Sequence, residues 1–238
     1  MLKNRDFFFL QYNKIDWRNQ ETTKINARIN DYIIQNVLLK HADDSISLFD
    51  IGFGIGFFIR MFINVAKDKF HTIHIEGCEP STVNYEYFAD KKPSEVAELH
   101  PTGFLETQTK QTFDYITAIY VFPHFLTEDL ESVARKINQM LKPGGKFILA
   151  LANENYLKEK LARQSDLFIE SGDTSWNSKK YHEVLHYSDI PSIGKIIDYN
   201  REEQFYLDLF SFTGFSLEKQ EVIDDNGFLC SLFVFEKN

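Results

Sequence analysis

The sequence predicts an α/β protein with a mostly parallel β-sheet and helices on both of its faces. Three observations lead to this prediction. Apolar strand-like runs alternate with amphipathic helical segments between residues 46 and 152, a glycine-rich turn follows the first run, and two β-rich runs close the chain. Such alternation with short connections is typical of parallel βαβ units. A length of 238 residues with 43% hydrophobic content suits one large domain or a domain with a cap.

The first strand and the turn after it are the most informative segment. The apolar run Ile46–Ile51 includes Asp50 near its end, and Gly52, Gly54 and Gly56 follow at every second position before an amphipathic helix that reaches Ala66. Glycine adopts positive φ angles and lets backbone N–H groups approach a ligand closely. The partial positive charge of a helix N-terminus attracts anionic groups. We therefore expect a nucleotide-like ligand at this turn.

The remaining elements follow in order along the chain. Strands are predicted at Thr72–Cys78, Val96–His100, Phe113–Val121 and Lys146–Ala152. Helices are predicted at Asp16–Leu39, at Ser81–Asp90, after a Thr127 cap until Pro143–Gly145, and at Glu202–Phe212. The runs Ser216–Ile223 and Gly227–Glu236 form a predicted antiparallel hairpin across Asp224–Gly227. Residues 153–200 are polar, aromatic and without a regular pattern.

Charge and cysteine content restrict the class of protein. A net charge of −9 argues against a general nucleic-acid partner, because binding phosphates requires a basic surface. Cys78 and Cys230 lie in apolar runs, which favours buried thiols in a reducing, cytoplasmic compartment. The apolar run Phe7–Leu10 is too short for a signal peptide, and no run approaches the length of a membrane span.

Five motifs in this order resemble those of class I S-adenosylmethionine-dependent methyltransferases. They are Asp50–Gly56, Glu79, Gly103–Glu106, Phe113–Phe125 and Leu141–Phe147. With the terminal hairpin, the resemblance covers roughly residues 46–152 and 202–238. It implies a Rossmann-like sheet of seven strands, the last of them antiparallel, and S-adenosylmethionine as the cofactor. The Leu141–Phe147 motif is similar to that of the small-molecule branch of the family.

The resemblance also implies roles for individual residues. The backbone of the glycine turn would face the methionine part of the cofactor, and Asp50 would orient the turn or accept a hydrogen bond from the cofactor's ammonium group. Glu79, at the end of the second strand, would accept hydrogen bonds from the ribose hydroxyls. Phe104 stands where many family members carry an aspartate that binds the adenine amine, so it would flank the adenine instead. The residues expected at the cofactor are Asp50, Gly52, Phe53, Gly54, Gly56, Glu79, Pro80, Phe104 and Ala118.

Methyl transfer depends mainly on holding the acceptor atom close to the methyl group and in line with it. A base is needed only where the acceptor must lose a proton. Tyr120 and His124 follow the fourth strand and are the candidates for such a catalytic role. Packing of a loop is the competing interpretation of His124. His182 and His186 are four residues apart, but their β-branched and aromatic neighbours favour a strand, so no metal site is predicted.

The predicted organisation has four parts. Residues 1–45 form an N-terminal helical cap, residues 46–152 the cofactor-binding core, residues 153–200 a cap or substrate insertion, and residues 201–238 complete the core. The acceptor is expected to be a small molecule, with a protein acceptor as a second choice. The aromatic residues of the insertion either line its pocket or pack the cap onto the core. These residues are Trp176, Tyr181, Tyr187 and Tyr199.

Two other functions fit parts of the pattern. A nicotinamide-dependent oxidoreductase also has a glycine-rich turn after its first strand, but Phe57 occupies the position where that fingerprint requires a third small residue. The terminal hairpin also fits a plain dinucleotide fold poorly. A non-catalytic module that binds a cofactor or a partner is the second alternative, because a fold does not determine a function.

Overall fold

The computed structural model describes residue 13, residues 17 and 18, and residues 26–190 and 194–238. Its helices are α1 (Ala27–Asn36), α2 (Phe57–Ala66), α3 (Thr82–Ala89), α4 (Leu130–Met140), α5 (Glu154–Arg163) and α6 (Glu203–Phe212). The first five strands are β1 (Ser45–Ile51), β2 (Thr72–Cys78), β3 (Val96–His100), β4 (Phe113–Ile119) and β5 (Leu141–Ala152). The other five are β6 (Phe168–Trp176), β7 (Lys179–Ile190), β8 (Gly194–Arg201), β9 (Phe215–Asp225) and β10 (Phe228–Lys237).

Seven strands form the main sheet in the order β3-β2-β1-β4-β5-β10-β9. The first five pair in parallel, whereas β10 is antiparallel to both β5 and β9. Strands β1 and β4 lie at the centre of the sheet. Because strands β1 to β5 are parallel, their carboxyl ends lie at the same edge of the sheet, beside the turn after β1. The predicted fold is therefore confirmed, including its seven strands and its terminal hairpin.

Two apolar clusters hold the sheet between helices. On one face, α1, α2 and α3 pack their buried residues against β1, β2 and β10. On the other face, α4 and α6 pack against β1, β4 and β5. Phenylalanine dominates the second cluster, where Phe147 and Phe210 lie 4.9 Å apart between ring centroids. Both faces of the central strands are therefore buried, as their continuous apolar sequences require.

Several predicted boundaries differ from the observed ones. The helix expected from Asp16 to Leu39 is observed as α1, and most of its predicted first half lies outside the described residues. Strand β5 starts at Leu141, so the Pro143–Gly145 turn lies inside the strand as an irregularity in its pairing with β4. Thr127 does not cap α4, because its hydroxyl donates to Glu183 and accepts from Arg201.

The segment 153–200 is regular, which corrects the irregular structure expected for it. It contains α5 and a second, antiparallel sheet in the order β6-β7-β8. Two residues join β6 to β7, Asn177 and Ser178, and both have positive φ angles, of 48° and 65°. This is the geometry of a tight hairpin turn whose twist matches that of the strands. A strand was indicated only around His182 and His186, and the rest of this sheet escaped prediction because most of its side chains are polar or exposed.

A buried arginine connects the second sheet to the loop that follows β4. Arg201, at the end of β8, lies 3.6 Å from the Glu183 carboxylate of β7. Its guanidinium also donates to the Phe125 carbonyl at 2.9 Å and to the Thr127 hydroxyl. Both side chains of the ion pair are almost fully buried, so removal of either one would leave a charge without its partner. The loop after β4 is thereby held against β7 and β8.

Candidate functional site

The glycine turn after β1 combines three left-handed residues with different surroundings. Gly52, Gly54 and Gly56 have φ angles of +67°, +55° and +73°. A Cβ atom on Gly54 would meet nothing within 4 Å, whereas one on Gly56 would lie 2.3 Å from the Phe88 ring. The Cβ of a residue at position 52 would come within 2.7 Å of Val121. Gly54 therefore keeps a space open, while Gly56 permits α2 to pack against α3.

Glu79, which follows the end of β2, is hydrogen-bonded to this turn. Its two carboxylate oxygens accept hydrogen bonds from the backbone N–H groups of Gly54 and Ser81, both at 2.8 Å. Its own N–H donates to the carbonyl of His100 in the neighbouring strand. Burial raises the pKa of Glu79 to about 7, although the hydrogen bonds from Ser81, Gly54 and Asn84 oppose that rise. The carboxylate thus stands beside the open space over Gly54.

Asp50 is the second buried carboxylate of the site. It accepts a hydrogen bond from the Thr117 hydroxyl at 2.7 Å, across the pairing of β1 with β4. Burial raises its pKa to about 7, the Thr117 hydrogen bond lowers it, and the charge of Glu79 raises it further. Both acids therefore have neutral hydrogen-bond partners in this part of the structure. A ligand that brings positive charge would stabilise their ionised forms.

These residues line one cavity of about 540 Å³ at the carboxyl ends of the parallel strands. The structure brings nine of the residues singled out from the sequence to its wall, which are Asp50, Gly52, Phe53, Gly54, Glu79, Pro80, Phe104, Tyr120 and His124. Two others are not part of it. Gly56 packs against Phe88, and Ala118 is fully buried within β4. Trp17 and Asn26, the residue before α1, also line the cavity.

Phe104 forms part of the cavity wall, as the sequence predicts. Its ring is 2% exposed and lies 6.0 Å from that of Phe49. Lys136 of α4 donates to the Phe104 carbonyl at 2.7 Å and to the Leu105 carbonyl at 3.1 Å, and it also binds the Thr107 carbonyl. One lysine thus fixes the backbone of the loop that follows β3.

The opposite wall comes from the second sheet and was not found from the sequence. Ser188 of β7 and Ile196, Asp198 and Asn200 of β8 reach the cavity. The alternation of positions 196, 198 and 200 is the pattern of one strand face, and it would have identified them had a strand been predicted here. Asp198 accepts a hydrogen bond from the Ser188 hydroxyl. Asn200 in turn bonds to the His186 ring at 2.7 Å.

His124 lies next to Asp198 in the cavity wall. The Nε2 atom of His124 lies 3.6 Å from the Oδ1 atom of Asp198, and both side chains are mostly buried. Burial lowers the pKa of His124, whereas the charge of Asp198 and a hydrogen bond to the Tyr120 carbonyl raise it. The imidazole is therefore mainly neutral near pH 7 and is able to accept a proton.

Tyr120 has a different part in the site. Its φ angle of 58° places it in the left-handed region at the exit of β4, where its N–H donates to the carbonyl of Ala150. Burial and the neighbouring Cys230 raise the pKa of the Tyr120 phenol well above its usual range. The phenol thus stays protonated near neutral pH, which leaves His124 as the stronger of the two candidates for a base.

The aromatic residues of the insertion pack rather than line the cavity. Trp176 donates to Glu131 of α4 at 3.2 Å, and its ring lies 6.0 Å from that of Phe205 in α6. Tyr181 also packs on Phe205 and donates to Asp208 at 2.7 Å. Tyr187 is partly exposed, and neither it nor Tyr199 belongs to the cavity wall. Of the two interpretations left open by the sequence, packing onto the core is the observed one for Trp176 and Tyr181.

The sequence matches the methyltransferase domain family over residues 21–203, which is more than half of the chain. The fold, the glycine turn and this match together show that the chain belongs to that family. The architecture is that of the class I S-adenosylmethionine-dependent methyltransferases, as the resemblance in the sequence implied. No curated protein sequence is significantly similar to the chain.

Solved structures share the fold at low sequence identity. The PH0226 protein from Pyrococcus horikoshii OT3 is 17% identical with a TM-score of 0.61, and the match covers 92% of each chain. The glycopeptide N-methyltransferase MtfA, solved with S-adenosylmethionine, is 13% identical with a TM-score of 0.61, covering 86% of this chain and 92% of its own. The N-methyltransferase NodS from Bradyrhizobium japonicum WM9 is 12% identical with a TM-score of 0.58, covering 89% and 86%.

Ligand affinity at this site should depend on pH. Asp50 and Glu79 have pKa values of about 7, so both are partly protonated near neutral pH. A cationic ligand favours their ionised forms, so its binding releases protons and its affinity falls as the pH is lowered. Between about pH 7.5 and about pH 6, we expect S-adenosylmethionine to bind several-fold to tens of times more weakly. Calorimetry in two buffers of different ionisation enthalpy would measure both the affinity and the protons released. An affinity that is constant over this range would contradict the prediction.

Proposed function

We propose that this protein transfers a methyl group from S-adenosylmethionine to an amine nitrogen of a small-molecule acceptor. The observation that carries the proposal is the charge of the cavity beside the glycine turn. Six carboxylate residues contribute to its described wall, which are Asp50, Glu79, Glu106, Asp129, Asp198 and Asp225. Lys160 is the one lysine among the described lining residues. A wall of this composition favours cationic ligands over anionic ones.

The residues around Gly54 suit the proposed cofactor. The open space over Gly54 would receive the methionine part, with Asp50 near its ammonium group. Glu79 keeps lone pairs for two ribose hydroxyls in addition to its backbone partners. Phe104 would flank the adenine. When bound, S-adenosylmethionine supplies a methyl group on a sulfonium, which an aligned nucleophile displaces in line.

Asp198 and His124 would act on the acceptor. An ammonium group is attracted to the Asp198 carboxylate, and it must lose one proton before its nitrogen has a free electron pair. His124 lies 3.6 Å from Asp198 and has a pKa below its usual value, so its neutral imidazole would take that proton. Ser188 holds the Asp198 carboxylate in place. We further propose that residues 153–200 act as the cap that selects the acceptor.

A net charge of −9 argues against a nucleic-acid acceptor, and a protein acceptor is the second choice.

In the described ranges, none of the helices combines the length and the apolar character of a membrane span. Family membership and the antiparallel β10 favour methyl transfer over the nicotinamide-dependent alternative. A non-catalytic module that binds the cofactor would also have the glycine turn and Glu79, but it would not transfer the methyl group.

A matched acceptor panel would test the proposal. The purified protein would be incubated with S-adenosylmethionine and with compounds that carry an amine, a hydroxyl or a carboxylate on the same scaffold. We expect S-adenosylhomocysteine to accumulate with amines above all, and Asp198→Asn to reduce that preference. Transfer to carboxylates or hydroxyls alone would refute an amine acceptor. Cofactor binding without any turnover would support the non-catalytic alternative.

A further inference from the structure

Four side chains able to bind a metal lie together at the outer edge of the main sheet, away from the cavity wall. The sequence reads His74-Ile75-Glu76 on β2 and Glu98-Leu99-His100 on the edge strand β3. Alternate residues of a strand point to the same face of a sheet. Each strand therefore contributes one imidazole and one carboxylate to a single face.

A β-bulge brings the two pairs together. Ile75 pairs with Val96, but Glu76 pairs with Glu98, so Ala97 has no partner in β2. In a regular register Ala97 would lie beside Glu76, and Leu99 would lie beside Cys78. The bulge instead places Glu98 next to Glu76 and His100 next to Cys78. Bulges of this kind re-aim side chains at functional positions.

The distances within the cluster are short. The two carboxylate oxygens of Glu76 lie 3.0 Å from His74 Nε2 and 3.3 Å from His100 Nε2. Glu98 Oε1 lies 3.8 Å from His100 Nδ1. One ligand atom from each of Glu76, Glu98 and His100 lies within 4.8 Å of the other two. Glu76 is only 2% exposed, and the His100 ring stacks on Phe49 at 6.2 Å, so two of the three are held in place by packing.

We propose that Glu76, Glu98 and His100 bind one divalent transition-metal ion, with zinc as the probe. Imidazole and carboxylate groups are common zinc ligands, with bonds of about 2.0–2.2 Å. Glu76 lies beside the Nε2 atom of His100 and Glu98 beside its Nδ1 atom, so the exposed Glu98 carboxylate would turn toward Nε2 when the ion binds. The ion would also compensate the charges of two adjacent carboxylates, one of them buried. His74 donates to the other oxygen of Glu76 and so orients that carboxylate toward the ion.

The expected consequence is a cross-link between the edge strand and the rest of the sheet. Strand β3 is one of the two edge strands of the main sheet and pairs with β2 alone. The His100 carbonyl accepts the hydrogen bond of the Glu79 N–H, so the cross-link would also steady the end of β2. This inference does not rest on the proposed methyl transfer, because the ion is held by residues outside the cavity.

Calorimetric titration of the chelator-treated, tag-free protein with zinc chloride would test the site. We expect one ion per chain, and a rise in melting temperature that grows with the zinc concentration. Glu98→Gln should abolish this binding or weaken it at least tenfold. Glu98 is exposed, so its substitution removes a ligand without disturbing the core. The His74→Ala variant should bind about tenfold more weakly, since it loses only the group that orients Glu76.

His71→Ala is the matched control, because His71 is an exposed histidine just before β2. It should bind zinc as the unaltered protein does. A protein without stoichiometric zinc binding, or a Glu98→Gln variant with unchanged affinity, would overturn the proposal. Either result would mean that the cluster serves only as hydrogen-bonded imidazole–carboxylate pairs.

Discussion

Glu79→Ala should weaken the binding of S-adenosylhomocysteine by about ten- to a hundredfold. The substitution removes a charged acceptor from the ribose hydroxyls, and hydrogen bonds to charged groups contribute about 1.5–3 kcal/mol. It also leaves the N–H groups of Gly54 and Ser81 without their carboxylate partner, which loosens the turn around the ligand. Calorimetry with the two proteins at one pH would measure the difference.

A nearby glutamate provides the control for this experiment. Glu86 lies on α3 and is exposed to solvent, so Glu86→Gln should leave the affinity unchanged. The melting temperature of each variant would separate a lost ligand contact from a lost fold. A folded Glu79→Ala variant that binds the nucleoside as tightly as the unaltered protein would contradict a ribose-binding role for Glu79.

Most residues predicted at the cofactor line one cavity, because the sequence signals that select them are local. A strand with Asp50 next to its last residue, followed by glycines at alternate positions, specifies a left-handed turn with open space over Gly54. Gly56 shows the limit of that inference. Its positive φ resembles that of Gly54, but the Phe88 ring fills the space beside it, and only the packing of α2 on α3 reveals this. Ala118 is likewise enclosed by neighbours that are distant in sequence.

The two hairpins show why one sheet was predicted and the other was not. Asn226-Gly227 joins β9 to β10 with two positive φ angles, and its sequence is the commonest signal for such a turn. Asn177-Ser178 adopts the same pair of left-handed conformations, with a serine where glycine is favoured. The strands beside it are polar because one of their faces meets solvent or the cavity. Their stability comes from contacts such as Arg201 with Glu183, which periodicity does not encode.

The proposed acceptor side of the cavity is formed by segments that are distant in the sequence. His124 follows β4, whereas Asp198 lies in β8, and their contact exists only after β7 and β8 have docked on the loop behind β4. From the sequence, His124 was one of two weak candidates for a base, and Asp198 had no distinguishing motif. The structure separates Tyr120 from His124 by environment, since burial raises the pKa of the Tyr120 phenol and lowers that of the His124 imidazole.

His124→Asn should lower the kcat of methyl transfer to an amine by about a hundred- to ten-thousandfold, the usual contribution of a positioned acid–base group. Asparagine keeps a polar side chain of similar size but does not accept a proton near neutral pH. The kcat would be measured with S-adenosylmethionine saturating. The affinity for S-adenosylmethionine, measured separately, should change little, because His124 lies on the proposed acceptor side of the cavity. His182→Asn, at an exposed position of β7, is the control and should retain full activity.

The pH dependence of kcat distinguishes a base from a packing residue. In the unaltered protein kcat should fall on the acid side as His124 becomes protonated, with a midpoint below the usual histidine value because burial lowers its pKa. That acid limb should be absent from His124→Asn, and Asp198→Asn should move it to still lower pH by removing the charge that raises the pKa of His124. If His124→Asn loses activity but keeps the limb unchanged, the imidazole only holds the loop after β4. The proton would then have to leave the acceptor through Asp198 or solvent.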